Sequence, residues 1–158
     1  MASALKLIHV FVAFWFVAGL IGRGITLGRA RSSEDIREVA ALVDAAGRFE
    51  KLMVIPASFG VLVTGLITRW SQGGPFTGHG SWWLLTALLL FLTQIPLVPL
   101  VFLPRGKVFE AALADAKQRG RPTAEVATAF RDRAVAAAHT YELIAVAVVI
   151  WLMVLKPF

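Results

Sequence analysis

Four stretches of the chain, residues 5–27, 52–70, 82–103 and 134–155, approach or exceed the roughly 20 apolar residues that carry a helix across bilayer hydrocarbon. That pattern constrains the fold more than any other feature. Only 16% of the residues are charged and 58% are hydrophobic, against about a quarter and a half in soluble domains. Within hydrocarbon each backbone polar group must be satisfied inside its own segment, which selects helices over open sheets. The expected fold is therefore all-α: a polytopic, up-down four-helix membrane bundle forming one domain over residues 1–158. The first block reads as a retained span. Its apolar run is too long for a signal peptide, and no basic segment precedes it.

Charge sets the expected orientation. The connection between spans one and two, with its flanks, holds Arg23, Arg29, Arg31, Arg37, Arg48 and Lys51, and that between spans three and four holds Arg105, Lys107, Lys117, Arg119, Arg121, Arg131 and Arg133. The opposite side has Lys6, Arg69 and Lys156. Thirteen basic residues against three is a strong positive-inside bias, placing both termini outside and the two long connections in the cytoplasm. The expected location is the cell (inner) membrane, multi-pass. The net charge of +6 does not imply a nucleic-acid partner, because acids interleave with the bases. The chain has no cysteine, so disulfides and thiolate ligands are excluded.

The connections read as cytoplasmic helical extensions over about 33–51 and 105–133. In "SSEDIREVAALVDAAGRFEKLM", Ser32 precedes Asp35 with capping-box spacing, and Ile36, Val39, Ala40, Val43 and Ala46 recur at helical intervals. One helix is expected from about 33 to 70, kinked at Pro56. Pro96, Pro99 and Pro104 predict a bent or unwound inner half of span three. Thr93 and Gln94, with Thr86 further out, either line a small polar cavity or satisfy the carbonyls released by Pro96 and Pro99, and the second is favoured. Gly120 is a candidate C-terminal cap and Pro122 a first-turn proline, after which a helix is expected to continue into the last span. Small residues mark where backbones approach: Gly19, Gly22, Gly24 and Gly28 on the first helix, and Ala57, Gly60, Thr64 and Gly65 on the second.

Polar residues inside the spans fall into two layers. Fourteen positions along a helix return to within about 40° of the same face, roughly 21 Å further along. His9 and Arg23 have that spacing, as do Glu50 and Thr64, and His139 and Met153. Arg23, Glu50, His139 and Glu142 therefore lie near the inner boundary, and His9, Thr64 and Met153 near the outer one. An unpaired ion in hydrocarbon costs at least roughly 2.5–3.5 kcal/mol, so the inner group reads as a structural ion-pair clasp. The competing reading is a proton relay or an anion-binding rim.

The outer layer is sparse, and no acidic residue lies on its side. His9 is held there by a hydroxyl or carbonyl, or else it ligates a metal or haem iron through a ring nitrogen. Met153 by depth, and His79 in the middle loop, are its candidate partners. No metal-cluster spacing, catalytic triad or phosphate loop is present, so no reaction is assigned.

The run "LKLIHVFVAFWFVAGL", with His9, Trp15 and Gly19, resembles the first helix of a superfamily. That group includes the copper-resistance D membrane domain and the small haem-dependent protoporphyrinogen oxidase of bacteria. The ending "VVIWLMVLKPF" is similar to an uncharacterised branch of the same group. The resemblance implies a four-helix membrane fold and haem b ligated at His9. The oxidase has a basic residue in its third span, and residues 82–103 hold none, so its activity is not carried over. Copper handling is not carried over either, since no outer methionine or histidine cluster exists.

Two functions follow as expectations. One is a haem-b-binding redox protein of the membrane, with His9 as ligand and Met153 or His79 opposite. The other is a cofactor-free accessory or scaffold subunit in the lipid bilayer that docks a protein partner, or its own copies, through the cytoplasmic helices.

Overall fold

The computed structural model describes residues 2–73 and 81–157. Its elements are α1 (Ala2–Ser32), α2 (Ile36–Phe49), a π-helical turn at Glu50–Val54, α3 (Ile55–Ser71), α4 (Trp82–Leu92), a second π-helical turn at Val98–Phe102, α5 (Leu103–Arg119), α6 (Ala124–Phe130) and α7 (Arg133–Leu155). No strand occurs among the described residues. Three helical stretches, Ser3–Ser32, Ile36–Ser71 and Ala124–Leu155, are long and apolar enough to cross a membrane, and Trp82–Leu92 is a shorter apolar helix. Large apolar side chains point outward, Phe14 at 73% exposure, Phe59 at 67% and Trp70 at 79%. Such a surface suits hydrocarbon and would be an aggregation liability in water.

The helices pack as two units: Met1–Ser33 with Arg37–Gly74, and Glu34–Ile36 with Pro75–Phe158. In the first, α1 lies antiparallel to α3 and the π turn ahead of it. His9 meets Thr64 at one end and Arg23 meets Glu50 at the other. Glycines allow the approach. A Cβ on Gly19 would sit 2.7 Å from the Met53 Cβ, one on Gly22 2.6 Å from the Phe49 ring, and one on Gly60 2.7 Å from the Val12 Cγ1. Gly24 and Gly28, read as packing positions on the same grounds, face open space. Helical phase explains the difference. Gly19 and Gly22 share the face covered by the π turn and the end of α2, while Gly24 and Gly28 lie off it.

The first connection is shorter than its sequence suggests. α1 runs through Ser32, so the capping-box reading of Ser32 and Asp35 is replaced by another contact: the Ser33 hydroxyl donates to Glu38 Oε2 at 2.6 Å. On α2, Ile36, Val39 and Ala46 are buried and Val43 is half-buried, the amphipathic pattern expected of them. The expected disturbance at Pro56 appears one turn earlier, as the π turn. There the Ile55 N–H bonds back to the Glu50 carbonyl instead of making the usual α-helical bond. A π turn absorbs the register change with backbone bonds still made.

In the second unit α4 lies antiparallel to α7. The Lys156 ammonium sits 5.4 Å from the Trp83 ring centroid, and the Phe102 ring stacks on His139 at 4.8 Å. The third apolar block is not one continuous helix. After Leu92 the chain makes tight turns, with Ile95 N bonding to Leu92 O and Val98 N to Ile95 O, before the π turn at Val98–Phe102. Pro96 and Pro99 have no N–H for the Leu92 and Ile95 carbonyls, and the backbone itself serves both. The Thr93 hydroxyl bonds the Leu90 carbonyl and the Tyr141 hydroxyl, while Gln94 Nε2 is buried without a hydrogen-bond partner. Gln94 therefore does not have the role expected of it.

Helix ends in this unit follow local chemistry. Gly120 adopts φ +68°, and the Arg121 N–H returns to the Ala116 carbonyl, a glycine C-cap. Thr123 caps α6 by accepting from Val126 N, so Pro122 precedes the cap instead of sitting in the first turn. The helix expected to run unbroken into the last span stops at Phe130. Asp132 restarts it by accepting the N–H groups of Ala134 and Val135 at 2.8 and 3.1 Å. Phe109 meets Phe130 edge-on and Arg105 Nε bonds Asp132 Oδ2 at 3.0 Å, holding α5 against the break.

Candidate functional site

His9 projects from α1 toward α3, one of the few polar groups on an apolar helix. Its Nδ1 lies 3.0 Å from Thr64 Oγ1. Thr64 also bonds its own helix, donating to the Gly60 carbonyl at 2.6 Å. A hydroxyl in a membrane helix commonly uses the i−4 carbonyl in this way, since no water is available. The ring lies over Gly65, where a Cβ would come within 3.1 Å of Cε1. Gly65 thus makes a shallow seat that any larger residue would fill.

Two further contacts join the same helices. Pro56 has no N–H to offer the Leu52 carbonyl four residues earlier, and the Trp15 indole donates to that oxygen at 3.4 Å. Arg23 is buried and its Nη1 lies 2.5 Å from Glu50 Oε2, in the residue that opens the π turn. The two ends of the contact between α1 and the segment formed by the π turn and α3 are thus polar, and the stretch between them is closed by glycine contacts.

Of the residues singled out in the sequence, the structure brings together Arg23 with Glu50 and, in the other unit, His139 with Glu142, where Nδ1 and Oε2 are 3.5 Å apart. Glu142 is buried and His139 stacks on Phe102. Met153 is half-buried on α7 in that second unit. His79 lies outside the described residues. Among the described residues no group of three or more His, Cys, Asp or Glu side chains is placed to hold a metal ion. Sequence reasoning placed Thr64 at the depth of His9 without pairing them, and it missed the Trp15 donor. The signal for Trp15 was present, because a proline at 56 marks the carbonyl at 52 as needing a donor.

Neither a curated protein nor a solved structure matches the chain. Residues 3–157 match the family model DUF2269, described as a predicted integral membrane protein. With nearly the whole chain matched, and with long apolar helices whose outer faces suit lipid, the protein belongs to the DUF2269 family of integral membrane proteins.

Proposed function

We propose that this protein is a multi-pass, haem-b-binding redox protein of the cell (inner) membrane, with His9 as an axial ligand. The observation that carries this reading is the fixed imidazole of His9, hydrogen-bonded through Nδ1 to Thr64 and seated on Gly65. A ligating histidine almost always has its other ring nitrogen engaged in this way, because that bond orients the ring and sets its basicity. His9 is the residue that would hold the haem, through its remaining ring nitrogen. The likeness of "LKLIHVFVAFWFVAGL" to haem-binding first helices points the same way. Haem b would supply one-electron transfer when bound, and this chain's part is to orient the ligand and keep the site within hydrocarbon.

The same proposal includes four membrane crossings, with the broken segment 82–103 as the third and both termini outside. The distribution of basic residues supports that orientation. The test of the haem reading is an absorption spectrum of the detergent-solubilised protein from haem-replete cells, oxidised and reduced. A Soret band that disappears in H9A, with helix content retained, is the expected result. A colourless, fully folded preparation would overturn it and leave the accessory-subunit reading, in which segments 33–51 and 105–133 dock a partner.

A further inference from the structure

The hydroxyl of Thr64 has one proton, and its surroundings determine where that proton goes. The Gly60 carbonyl, 2.6 Å away, can only accept, so it takes the Thr64 proton. Thr64 Oγ1 then faces His9 Nδ1 at 3.0 Å with lone pairs only. Two lone pairs at that distance repel, so the ring must supply the hydrogen.

We infer that Thr64 is a positioning residue that holds His9 in the Nδ1–H tautomer, leaving the Nε2 lone pair as the ligating one. A neutral imidazole carries one N–H, and the bond made by one nitrogen decides which nitrogen can bind a metal. The site is thus a relay of fixed direction, from His9 Nδ1–H to Thr64 Oγ1 and from Thr64 O–H to the Gly60 carbonyl. Gly65 contributes by letting the ring lie flat enough to make the first bond. This inference rests on the reading of His9 as a ligand, but the tautomer exists in the protein without any bound group.

The test uses the full-length protein in nanodiscs, with ¹⁵N-labelled histidine, prepared from haem-depleted cells. Nitrogen-15 spectra separate protonated from bare imidazole nitrogens, and H9A assigns the signals among the three histidines. The wild type and T64S are expected to show protonated Nδ1 and bare Nε2 at His9, whereas T64V shifts the ring toward the Nε2–H form. On haem titration, T64V is expected to bind about 10- to 100-fold more weakly and T64S close to wild type. An Nε2–H tautomer in the wild type, or an unchanged tautomer in folded T64V, overturns the inference. The wild-type and T64S spectra decide it even if T64V does not fold. An Nδ1–H ring in a protein that never gains a Soret band would instead overturn the haem reading and leave the role of Thr64 standing.

Discussion

Arg23 and Arg48 lie on neighbouring elements and both pair with acids, yet their surroundings separate them energetically. Arg48 and Asp44 are exposed at an i, i+4 spacing, 3.0 Å apart, a pair worth about 0.3–0.5 kcal/mol. The Arg23 side chain is 9% exposed, so its bond to Glu50 is made largely away from water. E50Q is expected to cost about 1.5–3 kcal/mol and D44N less than about 0.5 kcal/mol, measured by reversible unfolding in mixed micelles. Equal losses for the two variants would remove the clasp from the account of stability. The glycines make a second contrast. G19A and G22A force a methyl into contacts of 2.7 and 2.6 Å and are expected to cost about 1–3 kcal/mol. G24A meets nothing within 4 Å and is expected to stay within about 0.5 kcal/mol of wild type. All three are helical glycines in one sequence run. Their spacing was legible as a packing signal, but which of them touch a neighbouring segment was not, because that depends on the rotation of α1 about its own axis.

At the scale of elements, the α1–α3 pair joins a missing donor to a spare one. Because Pro56 cannot serve the Leu52 carbonyl, the Trp15 indole has an acceptor that a regular helix would not offer. The two features are therefore expected to be energetically coupled. W15F should cost about 0.5–1.5 kcal/mol in the wild type and much less in P56A, where the new N–H reaches the same carbonyl. A double-mutant cycle with no coupling would show the indole contact to be incidental. The start of α7 depends on one carboxylate. Bonds from Val135 N–H first, then Ala134 N–H and the Arg105 guanidinium, hold Asp132 below the usual carboxylate range. A group lowered on folding stabilises the fold above its unfolded pKa and loses that contribution as pH falls through its folded pKa. The protection factors of the Ala134 and Val135 amides, exchange being corrected for its intrinsic pH dependence, are expected to fall on acidification through that interval in the wild type. In D132N the charge is absent and the acid-dependent step should vanish. Proline and glycine chemistry announced most of these breaks. The stop at Phe130 was not announced, since Asp132 reads as one more charge in a helical run until its oxygen is seen on two amides.

For the whole molecule, the distribution of charge and apolar length makes a topological prediction that the absence of cysteine renders easy to test. Single cysteines placed in segments 33–51 and 105–133 are expected to resist a membrane-impermeant thiol reagent in intact cells. Cysteines near residue 73 or at residue 157 are expected to react. Labelling of the two long connections from outside would reverse the proposed orientation, and labelling on both faces of segment 82–103 would remove the third crossing. That segment is where hydropathy and structure diverge most. Twenty-odd apolar residues satisfy the length for a span, but Pro96 and Pro99 divide the backbone into a short helix, tight turns and a π turn.

The sequence by itself determined that this chain is an integral membrane protein, that it is helical, and where its proline and glycine breaks fall. Those properties follow from transfer free energy and from backbone donors that a residue has or lacks, and both are local. The tertiary structure alone decided that His9 meets Thr64, that Trp15 serves Leu52 and that two of four glycines carry the contact. Such pairings depend on the rotation and axial register of one helix against another. Moving α1 by a single residue would turn its faces by about 100° and separate every one of these partners.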